Sequence, residues 1–368
     1  MFKFLNLQPE IFAIDLNDSS LKVVKLEKRK HNFFLRSYNE VLIKPGIIKE
    51  GVIMNQEELV KIITAAVKGV QGKKISTNYV IVSLPEEKSF SQIIQMPQMN
   101  QKELQKAVPF EAENYIPLPI DKVYLDFEVV TPREEANTSK HLDVLVNVMP
   151  KYIVDSYLAC FTAAGLKPCV MEIESQAIAR ALIKNSQSEK PVAIIDLGKD
   201  NTSFIIFSGN AMRFTTSVPF SSKELTAAIA TALKITPSKA EDVKIKTGLG
   251  DKKTKESKEA AKAVEPLLTD FATKIKKYIS FYQDHASHDY FPSDIGIEKV
   301  ILCGGGANLK GLPEFLFEFL KIPVELGDPF VNIIPCNKGE KCPIIYQKAL
   351  SYSTAFGLAL RDANGIIQ

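Results

Sequence analysis

At 368 residues, with 45% apolar and 24% charged side chains, the chain has the composition of an ordinary globular protein of two domains, or of one duplicated domain with a cleft; a disordered or fibrous chain is excluded. Its formal charge of +3 comes mostly from lysines spread along the chain. A nucleic-acid footprint would gather Lys and Arg on one face, so nucleic acid is not an expected partner.

The first residues are too soon interrupted to form a secretory signal, and no window approaches the roughly 18–20 consecutive apolar residues that cross a bilayer. The chain therefore reads as cytoplasmic, without direct membrane insertion. Five cysteines, an odd number scattered along the chain, make no disulfide framework and point to a reducing compartment. Cys336 and Cys342 are read as two loop thiols in preference to half a zinc site.

In chain order, Phe12-Ala13-Ile14-Asp15-Leu16 is an apolar run with its only charge near the carboxyl end, as in a strand buried on both faces. After Asn17-Asp18-Ser19-Ser20 the stretch from Leu21 to Leu26 alternates with strand period, and a third strand is expected near Asn32 to Val41. A strand, tight turn, strand unit excludes the P-loop and dinucleotide fingerprints, which need a helix after the turn. A helix is expected from Asn55 to Lys68. Between about Ile75 and Gly165 the spacing predicts a small inserted α/β unit, with strands at Tyr79–Leu84, Phe90–Met96, Tyr124–Val130 and Leu142–Val148, helices at Lys102–Tyr115 and Tyr152–Ala164, and a polar hairpin tip at Thr131–Lys140.

The opening pattern recurs as Ala193-Ile194-Ile195-Asp196-Leu197, a turn from Gly198 to Asn201, and Thr202-Ser203-Phe204-Ile205. Asp15 and Asp196 lie about half the chain apart, and an internal duplication is the economical explanation. The second turn is read as one residue longer, which puts Thr202 and Ser203 in the place of Ser19 and Ser20. Another strand is expected at Ala211–Val218, then a helix at Lys223–Leu233 and one from Pro237 to Gly248, with Thr236 as its N-cap. The charged run between Gly250 and Lys262 reads as a solvated connection. Beyond it, helical spacing from Leu267 to Tyr282 marks a long amphipathic helix whose polar end, with His285 and His288, is not a metal site. Strand Lys299–Cys303, the triplet Gly304-Gly305-Gly306 with Ala307, and a helix near Leu312 close the pattern.

Two turns after buried strands, facing each other, present backbone N–H groups and hydroxyls that can clamp a phosphate chain. Asp15 and Asp196 would repel phosphate unless a divalent cation lay between them, and hard oxygen ligands suit Mg²⁺. The same carboxylates would orient or deprotonate an attacking water. Lys22 either reaches a phosphate or faces outward with the alternation of its strand. The glycine triplet lets a ligand approach the backbone. Glu241 and Lys244 share a helix face, either as a surface ion pair or near a ribose and base.

The two Asp turns, the glycine triplet and the run Ala240-Glu241-Asp242-Val243-Lys244 with Gly248 resemble the actin-like ATPase superfamily, which includes actin, sugar kinases, heat-shock chaperones and the division protein FtsA. Leu84-Pro85, Glu103-Leu104, the stretch from Phe110 to Pro117, Ala164-Gly165-Leu166-Lys167-Pro168 and the stretch from Ala355 to Arg361 resemble, within it, the PilM family of type IV pilus assembly. The resemblance covers nearly the whole chain. It implies an α/β, actin-like, duplicated ribonuclease-H-like two-domain fold with an inserted subdomain. The first half would be residues 1–74 and 166–185, the insertion 75–165, the second half 186–352, and 353–368 a hinge helix returning to the first half, paired with the helix carrying Ala177.

ATP with Mg²⁺ would lie between the halves, Asp15 and Asp196 serving as metal-side and catalytic carboxylates. Asn17, Ser19, Ser20 and Lys22 would belong to the first phosphate loop, Gly198, Asn201, Thr202 and Ser203 to the second, Gly304 to Ala307 to the adenosine motif, and Glu241 and Lys244 to the ribose and base. The implied partners are the N-terminal cytoplasmic tail of a PilN-like membrane protein and other pilus assembly proteins, with self-association open. The implied location is peripheral to the inner membrane through those partners. The family's first loop has glycine after Asp-x. Here Asn17 and Asp18 stand instead: Asn tolerates the left-handed backbone, while a further carboxylate weakens hydrolysis more than binding. An FtsA-like polymerising division protein and a small-molecule kinase are the alternative functions.

Overall fold

The computed structural model describes residues 10–30, 32–130, 141–249, 254–285, 296–336 and 342–362. The hairpin tip at Thr131–Lys140, Asp251 to Lys253 and His288 lie outside the described residues.

The first half opens with β1 (Phe12–Leu16), β2 (Ser20–Arg29) and β3 (Asn32–Leu42), an antiparallel meander in which Asp15 sits opposite Lys22. Helix α1 (Gln56–Lys68) is capped by Asn55, whose side-chain oxygen accepts from the Glu58 amide. Strand β4 (Tyr79–Leu84) then joins β1 in parallel. The inserted unit follows: β5 (Phe90–Pro97), α2 (Gln101–Ala112), β6 (Val123–Val129) and β7 (His141–Pro150), a separate sheet of order β5-β7-β6. Helix α3 (Lys151–Ala163), β8 (Lys167–Ile173) and α4 (Glu174–Leu182) return the chain to the first half, with β8 parallel to β4.

The insertion is smaller than the expected 75–165. Strand β4 is internal to the first sheet, and α3 buries Ile153, Tyr157, Cys160 and Phe161 in the first half's core. Strands of both sheets carry the same kind of apolar run, so pairing, and not pattern, sets this boundary.

The second half repeats the plan with β9 (Ser188–Leu197), β10 (Thr202–Gly209) and β11 (Ala211–Val218), then α5 (Ser222–Leu233), α6 (Pro237–Thr247) and α7 (Lys255–His285). Strand β12 (Lys299–Cys303), α8 (Leu312–Leu320) and β13 (Val324–Leu326) complete it, and α9 (Ser353–Asp362) returns to the first half, where it packs on α4, β1, β2 and β4. The order β11-β10-β9-β12-β13 mirrors β3-β2-β1-β4-β8, each an antiparallel meander joined to parallel strands, so the duplication is one of topology as well as of motif. The charged run taken as a solvated connection is in part helix: α7 begins at Lys255, reciprocal Thr254–Ser257 hydrogen bonds secure its start, and Ala260, Ala261 and Val264 are buried.

Period-2 alternation explains the layering. Phe12, Ile14 and Leu16 point to an outer core with α1 and α3, whereas Ala13 points inward. Ala193, Ile195 and Leu197 likewise face the outer helices of the second half, whereas Val192 and Ile194 face inward. Between the sheets lie α4 and α9, whose contact is lined by Ala177, Ala181, Ala355 and Ala359. Gly357 is obligatory there, because a Cβ would stand 1.8 Å from the Ala177 carbonyl oxygen. Arg180 and Arg361 both donate to the buried Glu172 carboxylate, and Arg180 also reaches the Gly357 carbonyl at 2.9 Å, which ties β8, α4 and α9 together.

A strap from the second half crosses to the edge of the first sheet. Leu35 N donates to Ile334 O at 3.1 Å, Ile334 N to Phe33 O at 2.7 Å, and Tyr38 Oη to Pro343 O at 3.0 Å. With both ends held on β3, Cys336 and Cys342 lie 5.1 Å apart at Cα and are joined by a disulfide. The reading of two loop thiols is corrected accordingly. Among the described residues no helix is long and apolar enough to cross a membrane.

Candidate functional site

The same alternation that buries Ala13 and Ile194 between the sheets turns Asp15 and Asp196, two residues further on, toward the space between the halves. Both line a cleft cavity of about 770 Å³. Asp15 is buried, its Oδ1 accepting from Ser83 Oγ at 3.2 Å and its Oδ2 lying 3.4 Å from Lys22 Nζ. Ser83 Oγ also accepts from the Leu16 amide at 2.8 Å, which fixes the strand end. Lys22 is buried in the cleft and does not face outward, since its Nζ reaches Asp15 and Ser20. Asp196 has the Cys303 thiol as a weak donor at 3.6 Å. Desolvation, then the Asp15 charge, push its pKa up to about 6 against the pull of Lys22.

The two turns are equal in length. Pairing Asp15 with Lys22 and Leu16 with Leu21 leaves four residues between the last paired positions, as does pairing Asp196 with Ser203 and Leu197 with Thr202. Asn17 N donates to Ser20 O at 3.0 Å and Gly198 N to Asn201 O at 2.9 Å, the same closing bond in each turn. The extra residue expected in the second turn is therefore absent: Asp200 and Asn201 correspond to Ser19 and Ser20, and Thr202 and Ser203 to Leu21 and Lys22. Ser19 Oγ meets Asp200 across the cleft, at a separation of 181 positions, the offset that also relates Asp15 to Asp196.

Asn17 holds a φ outside the left-handed region, so the expected backbone tolerance is not what it supplies. Its Oδ1 accepts from Ser19 N at 3.1 Å and Ser20 N at 2.9 Å. Asp18 accepts from the Glu50 and Gly51 amides at 2.6 and 2.9 Å, which occupies its carboxylate with backbone donors.

Further acids follow the parallel strand ends, because β1, β4 and β8 deliver their carboxyl termini to one edge of the sheet. Glu87, after β4, accepts from Asn201 Nδ2 of the opposite half at 2.9 Å. Glu86 accepts from Thr215 Oγ1 of β11 at 2.6 Å and from the Ser175 amide, while Glu174 accepts from the Glu86 amide. Burial raises the pKa of Glu86, Glu87 and, far more, Glu174, where the Asp15 charge adds to it. The cleft is thus a desolvated acidic site with Lys22 at its floor.

Gly304, at φ +82°, closes against Asp196: a Cβ would lie 2.4 Å from its Oδ1. Gly306 packs as tightly on Leu197, whereas Gly305 is open and lines both this cavity and an adjoining, mostly apolar one of about 1160 Å³. In that second cavity Lys244 Nζ is bonded to Glu241, Ser222 and Thr226 at 2.7 to 3.1 Å. Burial lowers the Lys244 pKa, and the Glu241 bond opposes the shift.

Type IV pilus assembly protein PilM is the family whose model matches, over residues 13–363. The chain belongs to the PilM family. A solved PilM–PilN type IV pilus biogenesis complex is 25% identical, with a TM-score of 0.80 over 96% of this chain and 98% of that one. MreB5 of Spiroplasma citri bound to AMPPNP shares the fold, with a TM-score of 0.54 at 14% identity over 96% of each chain. Among curated relatives, FtsA of Pseudomonas aeruginosa is 24% identical over 77% of this chain and 74% of its own length. FtsA of Escherichia coli is 24% identical over 59% of this chain, and the match spans about half of that protein (53%).

In this PilM-family chain Asp15, Asn17, Ser19, Ser20, Lys22, Asp196, Gly198, Asn201, Gly304 and Gly305 converge on the cleft, and Glu241, Lys244, Gly306 and Ala307 line the adjoining cavity. Thr202 and Ser203 line neither; the buried Thr202 hydroxyl donates to Phe220 O at 2.7 Å. Sequence reasoning placed Lys199 and Asp200 within the second turn without giving either a role of its own, and missed Glu87 and Glu174. For the last two, the signal was present in acids just past the ends of parallel strands.

Proposed function

We propose that this chain is a nucleotide-binding scaffold of type IV pilus assembly that takes ATP with Mg²⁺ in the cleft and receives the N-terminal tail of a PilN-like membrane protein, working in the cytoplasm at the inner membrane through that partner. The observation that carries the nucleotide reading is the facing pair Asp15 and Asp196 at structurally equivalent turns, beside a more apolar cavity reached past Gly305. A hard divalent cation suits this donor set, because Asp15 and Asp196 both present oxygen to the cleft and desolvation penalises the charge of Asp196. Among the described residues no group of three or more acidic, Cys or His side chains is arranged to hold an ion alone. On this reading Asp15 and Asp196 would be the residues that hold the cation. Lys22 neutralises part of the charge, and the purine and ribose lie toward Glu241 and Lys244. When bound, Mg²⁺ supplies charge neutralisation for the phosphate chain.

Contacts from Glu87 to Asn201 and from Glu86 to Thr215 join the halves at the cleft, so a ligand there biases the angle between them and with it the surface offered to a partner. The partner reading is supported by family membership and by the likeness to the PilM–PilN complex. Calorimetry tests both parts. Mg-dependent ATP binding is expected for the wild type and is expected to vanish in Asp196→Ala; full affinity in the variant sinks the site. A peptide of the PilN type is expected to bind at micromolar strength or better, and no binding with or without ATP sinks the partner. The FtsA relatives favour a second reading, a polymerising division protein. Strong autonomous pelleting with liposomes would support that reading instead.

A further inference from the structure

We propose that Asn17 sets the phosphate preference of the cleft: it makes the first turn a poor host for a terminal phosphate, so that the site holds a nucleoside diphosphate at least as tightly as the triphosphate. This inference rests on the nucleotide reading above.

A phosphate-binding turn works by presenting N–H and O–H groups that have no partner of their own. In the first turn the amides of Asn17, Ser19 and Ser20 and both serine hydroxyls are taken. The Asn17 carboxamide oxygen accepts from Ser19 N at 3.1 Å, from Ser20 N at 2.9 Å and from Ser20 Oγ at 3.2 Å. Lys22 Nζ is drawn into the same set, donating to Ser20 Oγ at 3.1 Å and lying 3.4 Å from Asp15. The Asn17 oxygen thus occupies the acceptor position that a phosphate oxygen would fill. At the equivalent position of the second turn stands Gly198, which has no side-chain acceptor, and a Cβ there would lie 2.6 Å from the Asn201 carbonyl oxygen.

The order of the cavities decides which phosphate meets which turn. Lys199 of the second turn and Gly305 line both cavities, whereas Asn17, Ser19 and Ser20 line only the cleft between the turns. A nucleoside in the larger, more apolar cavity sends its first phosphates past Gly305 and the second turn and its terminal phosphate toward the first. There the third phosphate meets a turn already satisfied from within, with the Asp15 and Glu87 carboxylates in the same cavity wall. It gains few donors and adds charge.

The test is isothermal calorimetry of the full chain with MgADP and MgATP, on the wild type, Asn17→Gly and Asn17→Asp. The wild type is expected to bind ADP as tightly as ATP or more tightly. Asn17→Gly frees two amides and is expected to tighten ATP about tenfold while ADP changes less than about twofold. Asn17→Asp keeps an acceptor, adds a charge, and is expected to shift the ratio further toward ADP, so the idea stays testable even if the glycine variant does not fold. A wild type that prefers ATP tenfold or more, or variants that leave the ratio of the two affinities unchanged, overturns the inference and leaves the nucleotide reading intact. Absence of binding by either nucleotide in all three proteins overturns the nucleotide reading itself, and this inference with it.

Discussion

Ser19 and Asp200 touch across the cleft, hydroxyl to carboxylate, from equivalent positions of the two turns. A phosphate chain entering between the turns must part them. It must also approach Asp200 in a cavity already lined by Asp15, Glu87, Glu174 and Asp196. Asp200→Asn keeps an acceptor for Ser19 and removes one charge. Nucleotide binding measured without Mg²⁺ by fluorescence titration is expected to tighten about three- to tenfold, with a smaller gain when Mg²⁺ is present. Unchanged affinity in both conditions would place Asp200 away from the phosphate path.

Asp196 makes the ligand-free protein sensitive to pH. Its pKa is raised from the ordinary carboxylate range to about 6, so the folded state binds the proton more tightly than the unfolded one. The stabilisation that this contributes is fully present below about pH 4 and is lost as pH rises through about 6. Subtracting the unfolding free energies of Asp196→Asn from those of the wild type should expose a decline of about 1–2 kcal/mol across that window, allowing for the partial exposure of the carboxyl. A difference that is flat with pH would show that the group titrates normally.

Gly357→Ala tests the helix contact between the sheets. The added methyl would stand 1.8 Å from the Ala177 carbonyl oxygen, which is backbone and cannot rotate away. Separating α4 from α9 also strains the Arg180 bond to the Gly357 carbonyl. A loss of at least about 2 kcal/mol in urea unfolding is expected. A neutral result would mean that the two helices part easily.

The strap on β3 is closed by Cys336–Cys342, a loop with a sequence separation of 6. Its loop-closure contribution is at most about 2 kcal/mol. Reductant is therefore expected to lower the wild-type unfolding midpoint by a few degrees and to leave a Cys336→Ser, Cys342→Ser variant unmoved. An equal response of both proteins would place the effect elsewhere.

Read by pattern alone, the chain disclosed the elements that carry their own signals. The strand from Tyr79 to Leu84, the Thr236 cap and Pro237 start of α6, and the Asp-ended strands of both halves stand where periodicity and capping chemistry put them. The family resemblance was equally legible, because its motifs are contiguous in the chain. Alternation even fixes that Asp15 shares a face with Ala13, and Asp196 with Ile194.

What the tertiary structure decided are relations between distant residues, which local pattern does not encode. Strand register shows that the turns are equal in length and that Asn201, not Thr202, corresponds to Ser20. Sheet pairing assigns β4 and α3 to the first half. Anchoring of both strap ends on β3 brings Cys336 to Cys342. Whether Asn17 shapes a backbone or consumes its donors depends on where one carboxamide oxygen points. A hydrogen bond is decided by position to a few tenths of an ångström, and sequence spacing specifies which groups are available without specifying which of them meet.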